Sequence, residues 1–397
     1  MKPSLKHVFQ YGKIWWHYFQ LYKETLRDVE IENIIKMLSC GSTVRGSAVY
    51  VCSNPKCSHT KHIAFTCKSR FCPSCGKKAT DQWIEKQKAL LPETNWQHIT
   101  FTMPKEIWRL FALNRYLLNE LSKAAAHIIL SLAREKKITP GIFVALHTFG
   151  RDLKWNVHIH LSTTLGGISF NKKSWKPLFF KKDALMAMWR YQIINLLRSS
   201  YQSGSLILPK SLEEFCPTYS QFNAWLNRRY KKRWIIYCAR PTKTHYHNVS
   251  YLGRYIKRPP LAFSKLLYYD GQNVVFRFLN HKTKKYKNFY CSSMKFIERF
   301  IQHIPEKGFR LIRYYGFLAN RNRKTLLDLV YKHLGQSSRT SYYLRWTTLM
   351  KRTIGTNPLQ CILCKNKLSL AFLQIGKKLD EIKKYHKELA LMKSIPL

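Results

Sequence analysis

Apolar residues recur along this chain with two different periods, and the changes of period mark out its elements. From residue 5 to 38 they fall at roughly helical spacing, first Val8, Trp15, Phe19, Tyr22 and Leu26, then Ile31, Ile34, Ile35 and Leu38, which predicts helix with one buried stripe. Cys40, Gly41 and Gly46 open a turn-rich stretch where this pattern stops. A helix is predicted over Asp81–Leu91, with Pro92 as its stop, and a strand over His98–Met103, where Ile99, Phe101 and Met103 alternate with polar neighbours. Ile107–Ala133 returns to the helical period and ends near the Lys136-Lys137 pair. Gly141–Phe149 reads as a strand, and Trp155–Thr164 alternates most regularly of all, with Val157, Ile159 and Leu161 on one face and Asn156, His158, His160 and Ser162 on the other. Gly150 separates the two, so a hairpin is expected.

Further on, Phe170–Leu197 and Leu212–Leu226 read as helices around a Ser/Gly-rich loop at Ser199–Ser205. Asn273–Leu279 reads as a strand, and Ser293–Ile301 and Thr325–Leu334 as helices. Strand, helix, strand, strand is the order of an α+β protein whose antiparallel sheet is flanked by helices. Composition divides the chain into a helical lead with a cysteine-rich, zinc-ribbon-like domain over 1–91, a central domain over 92–300, and a basic carboxy-terminal region over 301–397.

Charge narrows the partner. Lys and Arg number 69 against 21 Asp and Glu, a formal charge of +48, and so much like charge repels itself unless a polyanion neutralises it. Nucleic acid is the natural partner. The 14% of aromatic residues suits stacking on unpaired bases. A basic run at Arg228, Arg229, Lys231, Lys232 and Arg233, interleaved with Tyr230 and Trp234, is either a solvated face or a grip on a phosphate backbone. No stretch reaches the roughly 20 apolar residues of a membrane helix, and the amino terminus lacks a basic-apolar-small signal pattern; a cytoplasmic protein without a membrane partner is expected.

Five cysteines, Cys52, Cys57, Cys67, Cys72 and Cys75, crowd one short segment, which in a reducing compartment reads as metal binding rather than disulfides. Cys72-Pro-Ser-Cys75-Gly is a zinc-knuckle pattern, because the turn between two such thiolates aims amides at the sulfurs. A closed structural zinc site takes four ligands; the expected set is Cys52, Cys57, Cys72 and Cys75, with Cys67 as the extra and His59 and His62 as weaker substitutes. Lys68 and Arg70, beside the knuckle, are candidates for phosphate contacts. Cys361-x2-Cys364 is half of a second knuckle without an obvious partner pair.

His158 and His160 share one face of their strand, about 7 Å apart at the backbone, near enough for both imidazoles to meet one divalent ion. A hydrogen-bonded pair is the plainer reading, and His245 and His247 show that the His-x-His pattern is cheap. Downstream, Tyr251-Leu-Gly-Arg-Tyr255-Ile-Lys-Arg-Pro-Pro260 places two phenols one turn apart if Val249–Lys257 is helical, with Arg254 and Arg258 beside them. An aromatic core stripe is the alternative.

In this order the motifs resemble the rolling-circle insertion-sequence transposases with two catalytic tyrosines, the family of the HUH superfamily that insertion sequence ninety-one typifies. The resemblance is carried by Cys67-Lys-Ser-Arg-Phe-Cys-Pro-Ser-Cys75, His147-Thr-Phe-Gly150 leading into His158-Ile-His160, Tyr251-Leu-Gly-Arg-Tyr255, and Gly308–Leu318, and spans most of the chain. It implies a catalytic domain of HUH type over 92–300, behind a transposase zinc-binding domain. It implies cleavage and joining of single-stranded DNA at element ends and target, with Tyr251 and Tyr255 as nucleophiles and Arg254 and Arg258 on phosphates. His158 and His160 would hold Mg or Mn. The family commonly carries a third histidine two before the pair, where this chain has Asn156, so His147, Asp152 or Asn156 is left to supply the remaining ligand. Its first cysteine pair is usually closer than Cys52 and Cys57. A replication initiator or relaxase with the same chemistry, and a zinc-ribbon nucleic-acid-binding protein without catalysis, are the competing readings.

Overall fold

A computed structural model describes residues 3–246, 249–250, 253, 259–280, 283–337 and 344–390. It is an α+β protein built on antiparallel sheets. The largest sheet contains β3 (Trp96–Phe101), β4 (Ile138–Phe149), β5 (Trp155–Ser169), β7 (Ile236–Cys238) and β11 (Ile312–Gly316) in the order β11-β4-β5-β3-β7, with β6 (Trp175–Pro177) pairing β5. β4 and β5 form the expected hairpin, in a register that sets His147 opposite His158 and Ala145 opposite His160. β3 lies on the other side of β5, with Thr100 opposite His160 and His98 opposite Ser162.

Alternation along these strands gives the sheet two unlike faces. One face presents Ile99, Phe101, Ile142, Val144, Leu146, Val157, Ile159 and Leu161 to the main core. Helices Leu118–Glu135, Lys182–Gln202 and Tyr219–Tyr230 cover it. Leu118, Leu121, Ala125, Ala126, Ile128, Ile129 and Ala133 are the buried stripe of the first of these, at the three- and four-residue spacing a core-facing helix requires. The opposite face carries Trp96, Phe143 and Ala145, which pack with Trp83, Leu90 and Val249, and, further along the same strands, the histidines.

Several predicted elements are interrupted where the backbone demands it. The stretch 5–38 is three helices, Leu5–Gln10, Ile14–Tyr22 and Asp28–Leu38, parted first where Gly12 and Lys13 take positive φ of 63° and 52°, a conformation no helix can carry. Leu212–Leu226 splits into Lys210–Phe215 and Tyr219–Tyr230 around Pro217, with Thr218 capping the second piece. The helix predicted from Asp81 begins earlier, at Pro73 within the knuckle, and runs to Leu90.

The expected carboxy-terminal region over 301–397 does not stand apart. Its strand β11 is an edge of the main sheet. β12 (Leu368–Ile375) pairs antiparallel with β1 (Gly46–Cys52), which pairs in turn with β2 (Thr60–Ala64). A third small sheet, β8 (Leu266–Tyr269), β9 (Asn273–Leu279) and β10 (Tyr286–Ser292), shares a core with the amino-terminal helices. There Val8, Phe9, Trp15, Ile34 and Ile35 meet Val274, Phe276, Phe296 and Phe300, along with Ile382 and Leu389 from near the other end of the chain. The amino-terminal domain is completed by residues far away in sequence.

Candidate metal centres and DNA-binding face

His147, His158 and His160 stand together, each offering a ring nitrogen, and these nitrogens all lie within 4.8 Å of one another. Of the three alternatives for a further ligand, the structure therefore brings His147 to the pair. Asp152 turns to Lys154 instead, accepting from its backbone N–H at 3.3 Å. Asn156 contributes its backbone: its carbonyl accepts from His158 Nδ1 at 2.9 Å. A carbonyl can only accept, so His158 carries its proton on Nδ1 and keeps the Nε2 lone pair for a metal.

A fourth imidazole, which sequence reasoning placed on a strand but not at the site, completes the group. His98 Nε2 lies 3.0 Å from His160 Nδ1, and the rings stack with centroids 5.1 Å apart. Thr100 Oγ1 is 3.3 Å from the same His160 nitrogen, and His98 Nδ1 is 3.3 Å from Ser162 Oγ. If His160 donates from Nδ1 to His98, its Nε2 is left for an ion, and His98 in turn donates to Ser162. The only sequence signal was that His98 falls in phase with the polar side of its own strand.

Burial sets the protonation state of the group. It pushes His98 down to about 4, and His158 to about 4 against the opposing hydrogen bond to Asn156. His147 and His160 are held well below the usual imidazole range, by burial first and then by neighbouring imidazoles. All four are therefore neutral at pH 7, the form that ligates metals.

The cysteines gather differently from the expected single set. Cys72 and Cys75 join Cys40 and Cys67, while Cys52 and Cys57 join Cys361 and Cys364. Cys67 is not an extra, and Cys40 belongs to the same group although no pattern marked it. The reason is topological: β1 carries Cys52 and Cys57 away along the hairpin to where β12 returns, whereas the turn before β1 leaves Cys40 beside the knuckle. Cys40 and Cys75 Sγ are 3.6 Å apart and Cys67 and Cys75 3.7 Å, close to the roughly 3.8 Å edge of a tetrahedron with zinc–sulfur bonds near 2.3 Å. The backbone amides of Cys67 and Ser69 point at Cys40 and Cys67 sulfur, at 3.3 and 3.4 Å. This buried donor set fits a closed structural zinc. His59 Nδ1 sits 3.2 Å from Cys361 Sγ, while His62 stands exposed on β2.

Tyr251, Tyr255, Arg254 and Arg258 lie outside the described residues, as does His247. Their neighbours are placed. Val249 belongs to the cluster that holds Phe143, Ala145 and Trp83, and Phe143 and Ala145 lie on the same sheet face as His147. At Gly253 an added Cβ would collide with Ile84 Cγ1, so this glycine lies directly against the helix Pro73–Leu90. Trp83 of that helix also donates to Tyr314 Oη at 2.9 Å and lines a cleft of about 610 Å³ with Lys68, Lys78, Lys86 and Arg323. Among the described residues no acidic side chain lines this cleft. Lys68 is thus open to an anion, whereas Arg70 is turned inward, where it donates to the Phe309 carbonyl at 3.2 Å and burial lowers its pKa. Arg229 in the basic run likewise stacks on Trp225, 4.0 Å from the ring.

Comparison with known proteins gives the class of this protein, a transposase. Residues 12–103 match the family described as "Transposase zinc-binding domain", and residues 141–325 the family described as "Putative transposase". The chain belongs to the insertion-sequence-ninety-one family of transposases. It is 39% identical over 362 residues, 91% of this chain and 87% of the relative, to the "Transposase for insertion sequence element IS801" of Pseudomonas savastanoi pv. phaseolicola. It is 29% identical over 339 residues, 82% of this chain and 84% of the relative, to "Putative transposase y4qJ" of Sinorhizobium fredii. No solved structure matches. Among the described residues no helix is long and apolar enough to cross a membrane.

Proposed function

We propose that this transposase cleaves and rejoins single-stranded DNA at the ends of its insertion sequence through a 5′-phosphotyrosine intermediate, moving one strand by rolling-circle transposition in the manner of HUH enzymes. The convergence of His147, His158 and His160 carries the reading. These three would hold Mg or Mn, which when bound polarises a phosphate oxygen and stabilises charge in the transition state. Tyr251 or Tyr255 is the nucleophile. Its phenolic oxygen, stripped of its proton, bonds to phosphorus while the bond from phosphorus to the 3′-oxygen breaks. The departing oxygen takes a proton and becomes a free 3′-hydroxyl. A later attack by a 3′-hydroxyl on the phosphotyrosine reverses the exchange, so no nucleotide cofactor is consumed. A phenol with pKa near 10 is mostly protonated at pH 7, so its activation must come from nearby cations, a base or the metal-polarised target, and Arg254 and Arg258 would position phosphates. Two tyrosines allow two strand ends to be held in succession.

The supporting features are chemical and positional. The imidazoles are neutral and oriented by Asn156 and His98, and Val249 belongs to the cluster that also holds Phe143 and Ala145 of the histidine-bearing sheet face, while Gly253 lies against Ile84 and Trp83 of the helix that lines the basic cleft. The buried Cys40, Cys67, Cys72 and Cys75 set would hold structural zinc, fixing the helix that presents Lys78 and Lys86 to that cleft.

A labelled single-stranded oligonucleotide from an element end, incubated with protein and Mn, tests this. Denaturant-resistant adducts with a free 3′-hydroxyl are expected, lost in the Tyr251→Phe/Tyr255→Phe variant. Replacing both His158 and His160 by Ala should abolish cleavage and spare binding. Adducts surviving in the double tyrosine variant would remove both residues as nucleophiles. Binding without any adduct would leave a non-catalytic DNA-binding protein.

A further inference from the structure

The second cysteine group is only half contained in a matched family: Cys52 and Cys57 fall within residues 12–103, whereas Cys361 and Cys364 lie beyond both 12–103 and 141–325. Its members come from opposite ends of the chain. Cys52 closes β1 and is in register with Leu368 at the start of β12, and Ser53 N–H donates to the Lys367 carbonyl at 3.0 Å. Sheet pairing therefore delivers the two cysteine turns to one place. Cys52 and Cys364 Sγ are 3.3 Å apart and Cys57 and Cys361 Sγ 3.8 Å. These separations are too long for disulfides, whose sulfurs stand near 2.05 Å, and near the tetrahedral edge that zinc imposes.

The backbone repeats the knuckle geometry at each sulfur. The amide two residues on donates to Cys52 from Asn54, to Cys57 from His59, to Cys361 from Leu363 and to Cys364 from Asn366. Lys365 follows the second cysteine of its turn with φ of 62°, a left-handed position that costs a side-chain-bearing residue free energy, and Cys361 N–H closes the loop onto the Asn366 carbonyl at 2.8 Å. Two separate turns, Cys52–His59 and Cys361–Asn366, thus present two amide-contacted sulfurs each to one place.

We propose that Cys52, Cys57, Cys361 and Cys364 bind a second structural zinc, which clasps the two ends of the chain together. The ligands are separated by as many as 312 residues, and closure entropy grows with loop length, so the ion stabilises a contact the chain is slow to make. β12 presents mostly exposed side chains and buries little of its own; the metal, with the ladder to β1, keeps it in place. The amino-terminal domain is then complete only in a chain synthesised through Cys364, and this inference is independent of the DNA chemistry proposed above.

Zinc content of the full chain, together with per-residue alkylation of the cysteines mapped by mass spectrometry, provides the test. The Cys361→Ser/Cys364→Ser variant is expected to carry one zinc fewer per chain than the wild type, with Cys52 and Cys57 newly alkylated and Cys40, Cys67, Cys72 and Cys75 still protected. In the unmutated protein, Cd exchange should give two resonances in the four-sulfur range of the cadmium-113 spectrum, a readout that does not depend on the variant's folding. Equal zinc in variant and wild type, a single four-sulfur resonance, or disulfides joining these cysteines would each overturn the site.

Discussion

Replacing His147 by Ala tests the central geometry most directly. His147 is 4% exposed, its ring centroid lies 4.4 Å from that of His160 and 5.3 Å from that of His158, and among the described residues it is one of three candidate ligands gathered there. Loss of a partner outside the ligand set typically lowers metal affinity 10- to 100-fold. Loss of a ligand should exceed that, so we expect at least about 100-fold weaker Mn binding, or about 2.7 kcal/mol. His98→Ala should fall within about 10- to 100-fold, because it only frees the His160 ring to turn. Mn binding to the full chain is read from the free-ion signal in electron paramagnetic resonance, at a pH where the imidazoles are neutral. The four-cysteine groups do not confuse the titration, since hard Mn prefers oxygen and nitrogen to thiolate. Circular dichroism confirms that the variants fold. Wild-type affinity in His147→Ala would refute the three-imidazole centre and return the choice to Asp152 or Asn156; a smaller effect for His147 than for His98 would reverse their roles.

Two further outcomes follow from burial and backbone geometry. His98 and His158 are held at about 4 and His303 at about 3, in each case chiefly by burial, below the roughly 6.5 of the unfolded chain. Above pH 6.5 neither state is protonated; as pH falls from there towards 4 the unfolded state takes up protons first, so stability drops, by up to about 3 kcal/mol for each histidine held near 4. Urea midpoints across that range should fall less steeply in His98→Gln, and an unchanged slope would mean that His98 is not held neutral. Gly316→Ala should lower stability by about 3 kcal/mol, because Gly316 sits at φ 63° where an added Cβ meets the Pro140 carbonyl. Gly335→Ala, at φ 65° with open space, should cost only about 1–2 kcal/mol; equal melting temperatures for the two would contradict the close approach of β11 to β4.

The local part of this protein was written in local patterns. Period-two alternation placed His158 and His160 on one face of a strand, four-residue spacing gave the long core helices, and Cys72-Pro-Ser-Cys75 announced a knuckle, because each depends on neighbours within one turn or one strand. The charge of +48 named the kind of partner for the same reason: it is a sum, indifferent to the fold. What joins to what was decided elsewhere. The register of β4 on β5 chose His147 over Asp152 and Asn156, β3 brought His98 to support His160, and the return of β12 onto β1 divided five clustered cysteines between two groups and gave Cys361 and Cys364 their partners. Spacing along the chain constrains which residues a turn can bring together, but a metal site is filled by distance in space, and that distance is set by strand pairings between segments as much as three hundred residues apart.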